Sequence, residues 1–424
     1  MSARKEQVPA QGTDPIVTRA TGSTKPRGSK APASKKRRTA PPKSKAPRPM
    51  WLRVLRVLSI MVSILAVIVL IATGYAGYIS PLRHGGVWGI LPLGFPIVFW
   101  SCVGLLCLQL LYCRKGSLIV LAGMIFTLGP ILTYFPLNFG SKKAPEGSEI
   151  LTVMTYNVCN LQDQRGTGAD TIQNAMLGYI LGQDADIVCL QEAAYFVGAK
   201  KKGTYVQPWQ IESLHSRYPY IHHDGREEML LSKYPVEPIH LDVTKDKFEN
   251  GAVAAYRLTL PDDRRLTVFT VHLQSLRLNQ DDRQLYYNLT DLERESMGDV
   301  RHQLLHKLRV ANEERARQTH FIMRYLRLYG GPDAIICGDF NDVPGCFAIR
   351  SFEDAGFKSV YPEIGLGPMI TYNQNRFLFC IDHVLYRGDL IPLKLKKGGL
   401  KASDHYPLTV TFAIPPRNYR NRLD

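Results

Sequence analysis

With 424 residues, 45% of them hydrophobic and 21% charged, the chain is too long for one average domain and long enough to bury a large core. The formal net charge of +16 is confined to one end: residues 1–50 carry 13 Lys and Arg against Glu6 and Asp14. Residues 51–140 carry Arg53, Arg56, Arg83, Arg114 and Lys115 with no acid, so residues 141–424 are formally neutral, which removes the simplest electrostatic argument for a duplex-DNA binder.

The first fifty residues are rich in Pro, Ser, Ala, Lys and Arg and cannot bury enough apolar surface to offset their ordering entropy; a disordered basic tail is expected. The cluster Lys35-Lys36-Arg37-Arg38 reads either as a nuclear or nucleic-acid signal or as a solvated tail lying against anionic lipid.

Residues 51–140 then hold three uncharged apolar stretches: Val57–Tyr78, Val87–Tyr112 with Pro92 and Pro96, and Ser117–Phe135 with Pro130. Each is long enough for a transmembrane helix, and a cleaved signal peptide would not be followed by two more. Lys and Arg favour the cytoplasmic side of short loops. The basic tail and the Arg114-Lys115 loop therefore lie inside, and three crossings put the rest outside: an integral membrane protein with an extracytoplasmic catalytic domain. The irregularly spaced Cys159, Cys189, Cys337, Cys346 and Cys380 do not suggest a disulfide framework and lean mildly toward a reducing compartment.

A polar linker at 141–149 leads into a domain at 150–424 in which apolar, strand-like runs repeatedly end in a residue capable of chemistry. LTVMTYNV ends near Asn157, ADIVCLQE at Glu192 and RLTVFTVHL near His272. DAIICGDFND delivers Asp339, Asn341 and Asp342; LFCIDHVLY carries Asp382 and His383; KASDHYPLTVTF opens with Asp404 and His405. Helical patterns fall between them at 171–182, 208–216, about 291–329 and 346–355, which indicates a layered α/β domain. Singly, each residue has an ordinary reading: Asn157 as a turn residue, Glu192 as a helix starter, His272 as a core histidine, Asp382 as a strand-edge acid, and Asp404-His405 as a capping pair. Six such runs in order are not independent accidents.

TYNV, LQE, VHL, GDFND, IDHVL and SDHYPL, in this order across residues 151–412, resemble the endonuclease/exonuclease/phosphatase superfamily of metal-dependent phosphoesterases. The resemblance implies a four-layer α/β sandwich with two packed β-sheets, its site at their mouth. It implies Glu192 as a ligand of Mg²⁺ or Mn²⁺, with Asn157 as ligand or phosphate contact and Asp404 completing the site. Oxygen ligands suit a hard divalent cation, and no cysteine cluster competes for Zn²⁺. By the same resemblance His405 is the general base, held by Asp382. Asp339 and Asn341 orient the water and contact the phosphoryl oxygens, and His272 donates to a phosphoryl or leaving oxygen. His383 belongs on the opposite strand face and stays outside the set.

The expected function is membrane-anchored, metal-dependent hydrolysis of a phosphoester by a His-Asp activated water. A lipid head group, a small phosphodiester and nucleic acid all remain open as substrate, with the neutral domain and the bilayer partner leaning toward a small or membrane-borne one. The alternatives are a membrane-tethered endonuclease and an inactive binding module of the same fold. Substrate choice would lie in loops 198–205 and 245–250 and in the insert 276–312, read either as a lid or as plain helical elaboration. Arg315 and Arg317 read as phosphate contacts or as a solvated helix face.

Overall fold

A computed structural model describes residues 49–140, 142–163, 165, 173–194, 206–224, 226–242, 252–276, 297–374 and 378–417. The basic tail, loops 198–205 and 245–250, and the insert as far as residue 296 therefore lie outside the described residues, apart from Leu276.

Two helices are long and apolar enough to cross a membrane, Met50–Tyr78 and Trp88–Tyr112. They pack antiparallel across a polar seam in which Gln109 Nε2 donates to Ser63 Oγ (2.7 Å) and Ser59 Oγ (3.0 Å). The expected third span is not one helix. It is a pair, Arg114–Phe126 and Leu128–Tyr134, bent by 66°. Pro130 explains the break: it has no N–H for the Phe126 carbonyl and its ring crowds that oxygen. The freed Phe126 carbonyl accepts instead from the Tyr75 hydroxyl (2.9 Å). Two long apolar helices and one bent pair thus stand where hydropathy led to three helices.

Beyond the linker the chain forms β1 (Glu149–Asn157), β2 (Ile187–Gln191), β3 (Tyr220–His223), β4 (Met229–Ser232), β5 (Val236–Ile239) and β6 (Ala252–Thr259). There follow β7 (Arg265–His272), β8 (Ala334–Asp339), β9 (Lys358–Ser359), β10 (Asp382–Arg387), β11 (Ile391–Lys397) and β12 (Leu408–Ile414). They make two six-stranded mixed sheets, ordered β11-β12-β1-β2-β4-β3 and β5-β6-β7-β8-β10-β9. Within them β1–β2 and β7–β8 are parallel and the other pairs antiparallel.

Alternation along each strand sorts the apolar side chains into layers. Leu151, Val153, Ile187 and Cys189 of the first sheet meet Tyr256, Val268, Ile335, Cys337 and Val384 of the second in a shared core. Met154, Tyr156, Val188 and Leu190 face outward, where Met176, Leu177 and Ile180 of helix Ala175–Gln183 and Leu214 of helix Pro208–Arg217 cover them. On the other side Phe269, Val271 and Ile336 are covered by Ile322 and Leu326 of helix Met297–Tyr329 and Phe352 of helix Phe347–Asp354. The result is an α/β/β/α sandwich.

The apolar helices are packed onto this sandwich. A Cβ on Gly77 would lie 2.0 Å from the Gly345 carbonyl oxygen, so only glycine permits that approach. Tyr361 Oη donates to the Tyr134 carbonyl (2.9 Å), Arg350 Nη2 to Thr133 Oγ1 (3.2 Å) and Asn138 Nδ2 to the Gly365 carbonyl (2.8 Å). Val343, four residues beyond Asp339, packs with Leu70, Phe95 and Tyr134. The strand ends that carry the candidate residues are therefore next to the helical bundle.

Candidate active site

Three of the expected residues form one row across the second sheet. Parallel β7 and β8 pair His272 with Asp339, and antiparallel β8 and β10 pair Asp339 with Asp382. All three sit on the face turned toward the first sheet, in step with Val268, Cys337 and Val384 of the shared core. In the first sheet Asn157 pairs with Gln191, which puts Asn157 and Glu192 at adjacent strand ends facing that row. The backbone leaves regular structure there: Cys159 (φ 44°), Asn160 (φ 54°), Leu161 (φ 58°), Glu192 (φ 51°) and Asn341 (φ 51°) are all left-handed. Non-glycine residues persist in that region only when their surroundings over-determine them. Here Asn160 N bonds the Glu192 carbonyl (2.8 Å), Ala193 N the Glu227 carbonyl (2.8 Å), and Asn341 N the Asp339 Oδ1 (2.8 Å).

Asp339 is the hub. Its Oδ2 accepts from Asn157 Nδ2 (3.1 Å) and lies 3.4 Å from His405 Nε2 and 3.8 Å from His272 Nε2. The other ring nitrogen of His405, Nδ1, bonds Asp382 Oδ2 at 2.9 Å, and the Tyr372 ring stands edge-on with centroids 4.9 Å apart. Thr371 Oγ1 accepts from the Ile381 and Asp382 amides (2.9 and 3.0 Å), fixing the start of β10. Asn157 Nδ2 also donates to Glu192 Oε1 (3.0 Å) while its Oδ1 is turned to the Cys159 amide (3.0 Å). Asn157 thus enters the cluster as a donor joining two acids, with its oxygen directed away from the ligand position expected from sequence. Asp404 is half-buried; its Oδ1 accepts from Ser403 Oγ (3.2 Å), which also bonds the Asn157 carbonyl (2.8 Å).

The electrostatics follow from these neighbours. Burial disfavours a charged His405, but the carboxylates of Asp382 and Asp339 outweigh it and raise the imidazole to about 10. Burial likewise opposes a charged His272, yet the hydrogen bond it donates to Glu227, with Asp339 and Glu192 nearby, raises it to about 9. Burial pushes the Glu192 carboxyl up against the pull of His272 and Asn157. Glu192, Asp339 and Asp404 offer the carboxylate oxygens that a hard divalent cation takes. Asp339, Asp382 and His405 are also compact enough for an ion, their ligand atoms lying within 4.8 Å of one another. There Asp382 Oδ2 and His405 Nδ1 already bond each other, which leaves Asp382 Oδ1 and His405 Nε2 as the atoms that could meet an ion.

Reading strand ends alone misses several contributors. Glu227 Oε2 lies 3.1 Å from His272 Nδ1 and holds that ring as Asp382 holds His405. It precedes the apolar run MLLS, at the start of a strand. Beneath the row, Thr155 Oγ1 bonds Gln191, Gln191 Nε2 bonds Thr270 Oγ1 (2.9 Å), and Thr270 donates to Glu228, a carboxyl with no exposure that burial pushes well up. His383 is buried away from the site, its Nε2 bonding the Asp342 carbonyl (2.9 Å) and burial lowering it to about 4. Of the two arginines, only Arg317 is on a solvated face, paired with Glu314; Arg315 is 3% exposed and paired with Asp342 (3.1 Å).

The model of the Endonuclease/Exonuclease/phosphatase family matches residues 154–405, which contain every one of these strand ends. No curated protein sequence matches the chain. Among solved structures, an endonuclease/exonuclease/phosphatase from Beutenbergia cavernae is similar at 13% identity and TM-score 0.41, covering 62% of this chain and 72% of its own. TDP2 of D. rerio, complexed with single strand DNA product, is similar at 17% identity and TM-score 0.40, covering 62% and 99%. The human Nocturnin catalytic domain with bound sulfate is similar at 16% identity and TM-score 0.40, covering 65% and 100%. These scores are too low to carry over what those proteins bind.

Proposed function

The chain belongs to the endonuclease/exonuclease/phosphatase family, and on that premise we propose that it is a membrane-anchored, divalent-metal-dependent hydrolase of phosphate esters. The observation that carries the reading is the pairing of two histidines with two acids around Asp339: Asp382 to His405 and Glu227 to His272.

Hydrolysis adds water to phosphorus, breaks the bond to the leaving oxygen, and needs a proton taken from the water and one supplied to the leaving group. His405 takes the first proton at Nε2, while Asp382 fixes its tautomer and stabilises the imidazolium. Asp339 is shared between His405 and the oxygen cluster. His272, held protonated by Glu227, supplies a proton or hydrogen bond to a phosphoryl or leaving oxygen. Asp339 orients the water, and Asn341, its amide on Asp339 and its Nδ2 on the Leu273 carbonyl (3.0 Å), contacts a phosphoryl oxygen. Glu192, with Asp404, would hold Mg²⁺ or Mn²⁺, which would supply charge stabilisation for the phosphoryl and leaving oxygens. Asn157 keeps Glu192 and Asp339 together and contacts substrate phosphate.

Residues 51–140 anchor the enzyme, residues 141–149 link, and the catalytic domain follows from residue 150. We take the bent pair Arg114–Tyr134 as a broken third crossing, which places the domain outside the cytoplasm. A membrane-borne or small phosphoester is the substrate favoured by two facts: residues 141–424 carry no net charge, and Val343 beside the site packs against the bundle. The test is a panel of phospholipids, phosphoinositides, DNA, RNA and simple phosphodiesters offered to the full chain in detergent with Mg²⁺. Turnover should vanish with chelator and return with Mg²⁺ or Mn²⁺. Glu192→Gln should cost at least about a hundredfold, the scale of losing a key electrostatic stabiliser. Turnover undiminished in excess chelator would sink the mechanism. Exclusive DNA nicking would make the protein a membrane-tethered endonuclease. No turnover on any substrate would leave a binding module, despite Glu192, Asp339, Asn341, Asp404 and His405 all being in place.

A further inference from the structure

We infer that Arg315 is a positioning residue that ties the two active-site loops to the membrane bundle, so that the bundle is part of the catalytic apparatus as well as its anchor. This rests on the hydrolase reading above. The Arg315 guanidinium, 3% exposed, spends its three nitrogens on three different segments. Nε bonds Asp342 Oδ2 (3.1 Å), in the loop after Asp339 and Asn341. Nη1 bonds the Gln274 carbonyl (2.9 Å), two residues after His272. Nη2 bonds Asn312 Oδ1, and Asn312 Nδ2 donates to the Gly86 carbonyl (3.1 Å) between the two apolar helices.

The segment after His272 has no conformational slack. Leu273 N bonds the Asp339 carbonyl (2.9 Å), the Leu273 carbonyl accepts from Asn341 (3.0 Å), and Gln274 N bonds Gln318 Oε1 (2.8 Å). Arg315 closes this set at the Gln274 carbonyl and is its one charged member. On the bundle side Gly86 N bonds Glu313 Oε1 (3.1 Å), and a Cβ on Gly86 or Gly89 would come within 2.1 Å of Arg309 or 2.6 Å of Asn312. Helix Met297–Tyr329 is thus clamped to the bundle by one turn of residues, 309–313, and to the site by the next, 315–318. A lysine keeps the charge of Arg315 but is a point donor, unable to hold three segments in a planar fork.

The experiment uses the full chain in lipid nanodiscs, with Arg315→Lys and Asn312→Ala, and reads three quantities per folded molecule. For Arg315→Lys, kcat should fall about a hundredfold with KM changed less than about threefold, since misplacing catalytic groups by about 1 Å costs on that scale. Asn312→Ala leaves the Arg315 bonds to both loops and removes the bond to the Gly86 carbonyl while the Glu313 bond to the Gly86 amide remains, so its kcat should fall by a smaller factor, about tenfold. In both variants hydrogen exchange at the Leu273 and Gln274 amides should quicken relative to the β1 amides. The exchange readout needs no substrate, so it stands or falls separately from the hydrolase reading. Unchanged kcat in Arg315→Lys, or loss of activity matched only by loss of folded protein, would reduce Arg315 to a stability residue. Unchanged exchange and kcat in Asn312→Ala would disconnect the bundle.

Discussion

His405 Nδ1 lies 2.9 Å from Asp382 Oδ2, although 23 positions separate the two in the chain. With Nδ1 so engaged, Nε2 is the only nitrogen free to meet water, and it faces Asp339 at 3.4 Å. Residues acting as one unit are non-additive. His405→Ala and Asp382→Ala should therefore each cost at least about a thousandfold in kcat, and the double variant little more than the worse single one. Penalties that multiply would show Asp382 working elsewhere.

Glu227 makes the second histidine a pH-dependent donor. With only protein groups around it the imidazole of His272 is raised to about 9, so in the metal-free protein its proton is held below that value and lost as pH rises through it. Glu227→Gln removes the charge that holds the proton, so the alkaline limb of the kcat profile should move down by about one pH unit or more. A limb that stays in place would assign it to another group.

The sandwich and its strand-end residues were legible because apolar alternation marks a strand wherever one face is buried, and five runs end on the row or opposite it. Glu227 escaped because it lies two residues before the short β4 in a polar turn, where nothing local marks it from its acidic neighbours. Arg315 was read as a phosphate contact or a solvated face because periodicity shows that a polar stripe exists on helix Met297–Tyr329 without showing which loop it meets. The third apolar stretch was read as straight because hydropathy sums over residues and gives Pro130 no directional effect. Asn157 was expected as a ligand or phosphate contact; the contact between its oxygen and the Cys159 amide depends on a left-handed turn that no composition signal announces.

His383 makes a stability prediction separable from catalysis. Its pKa is lowered by burial to about 4 in the folded protein, against about 6.5 in an unfolded chain. The unfolded state thus binds the extra proton between these values. The contribution of neutral His383 is present above about pH 6.5 and lost as pH falls toward 4, on the order of 3 kcal/mol in all. His383→Gln can still donate to the Asp342 carbonyl but does not titrate. The Tm gap between the two proteins should narrow or invert between pH 6.5 and 4. A gap that does not vary with pH would remove His383 as the source.

The broken segment decides which side of the membrane the domain occupies. Arg114–Phe126 and Leu128–Tyr134 are about 20 and about 10 Å long at 1.5 Å per residue, and with the 66° bend between them the pair rises only about 24 Å along the first axis, somewhat less than a bilayer core of about 30 Å. Their contacts run from one end of the bundle to the other. Gly116 abuts Gln109 near the end of the second helix, and Gly123 abuts Val67 midway along the first. Phe126 meets Tyr75, and Tyr134 Oη reaches the Pro92 carbonyl (2.8 Å) at the opposite end of the second helix. On the proposed reading of this segment as a crossing, Arg53, Arg56, Arg114 and Lys115 share one side, as the cytoplasmic preference of basic residues requires. A cysteine placed in the tail and a reporter fused after Asp424 should accordingly report opposite sides in intact cells, and deletion of 114–134 should bring them to the same side. The two labels on one side in the intact chain would mean that Arg114–Tyr134 turns back, and the catalytic domain would then be cytoplasmic.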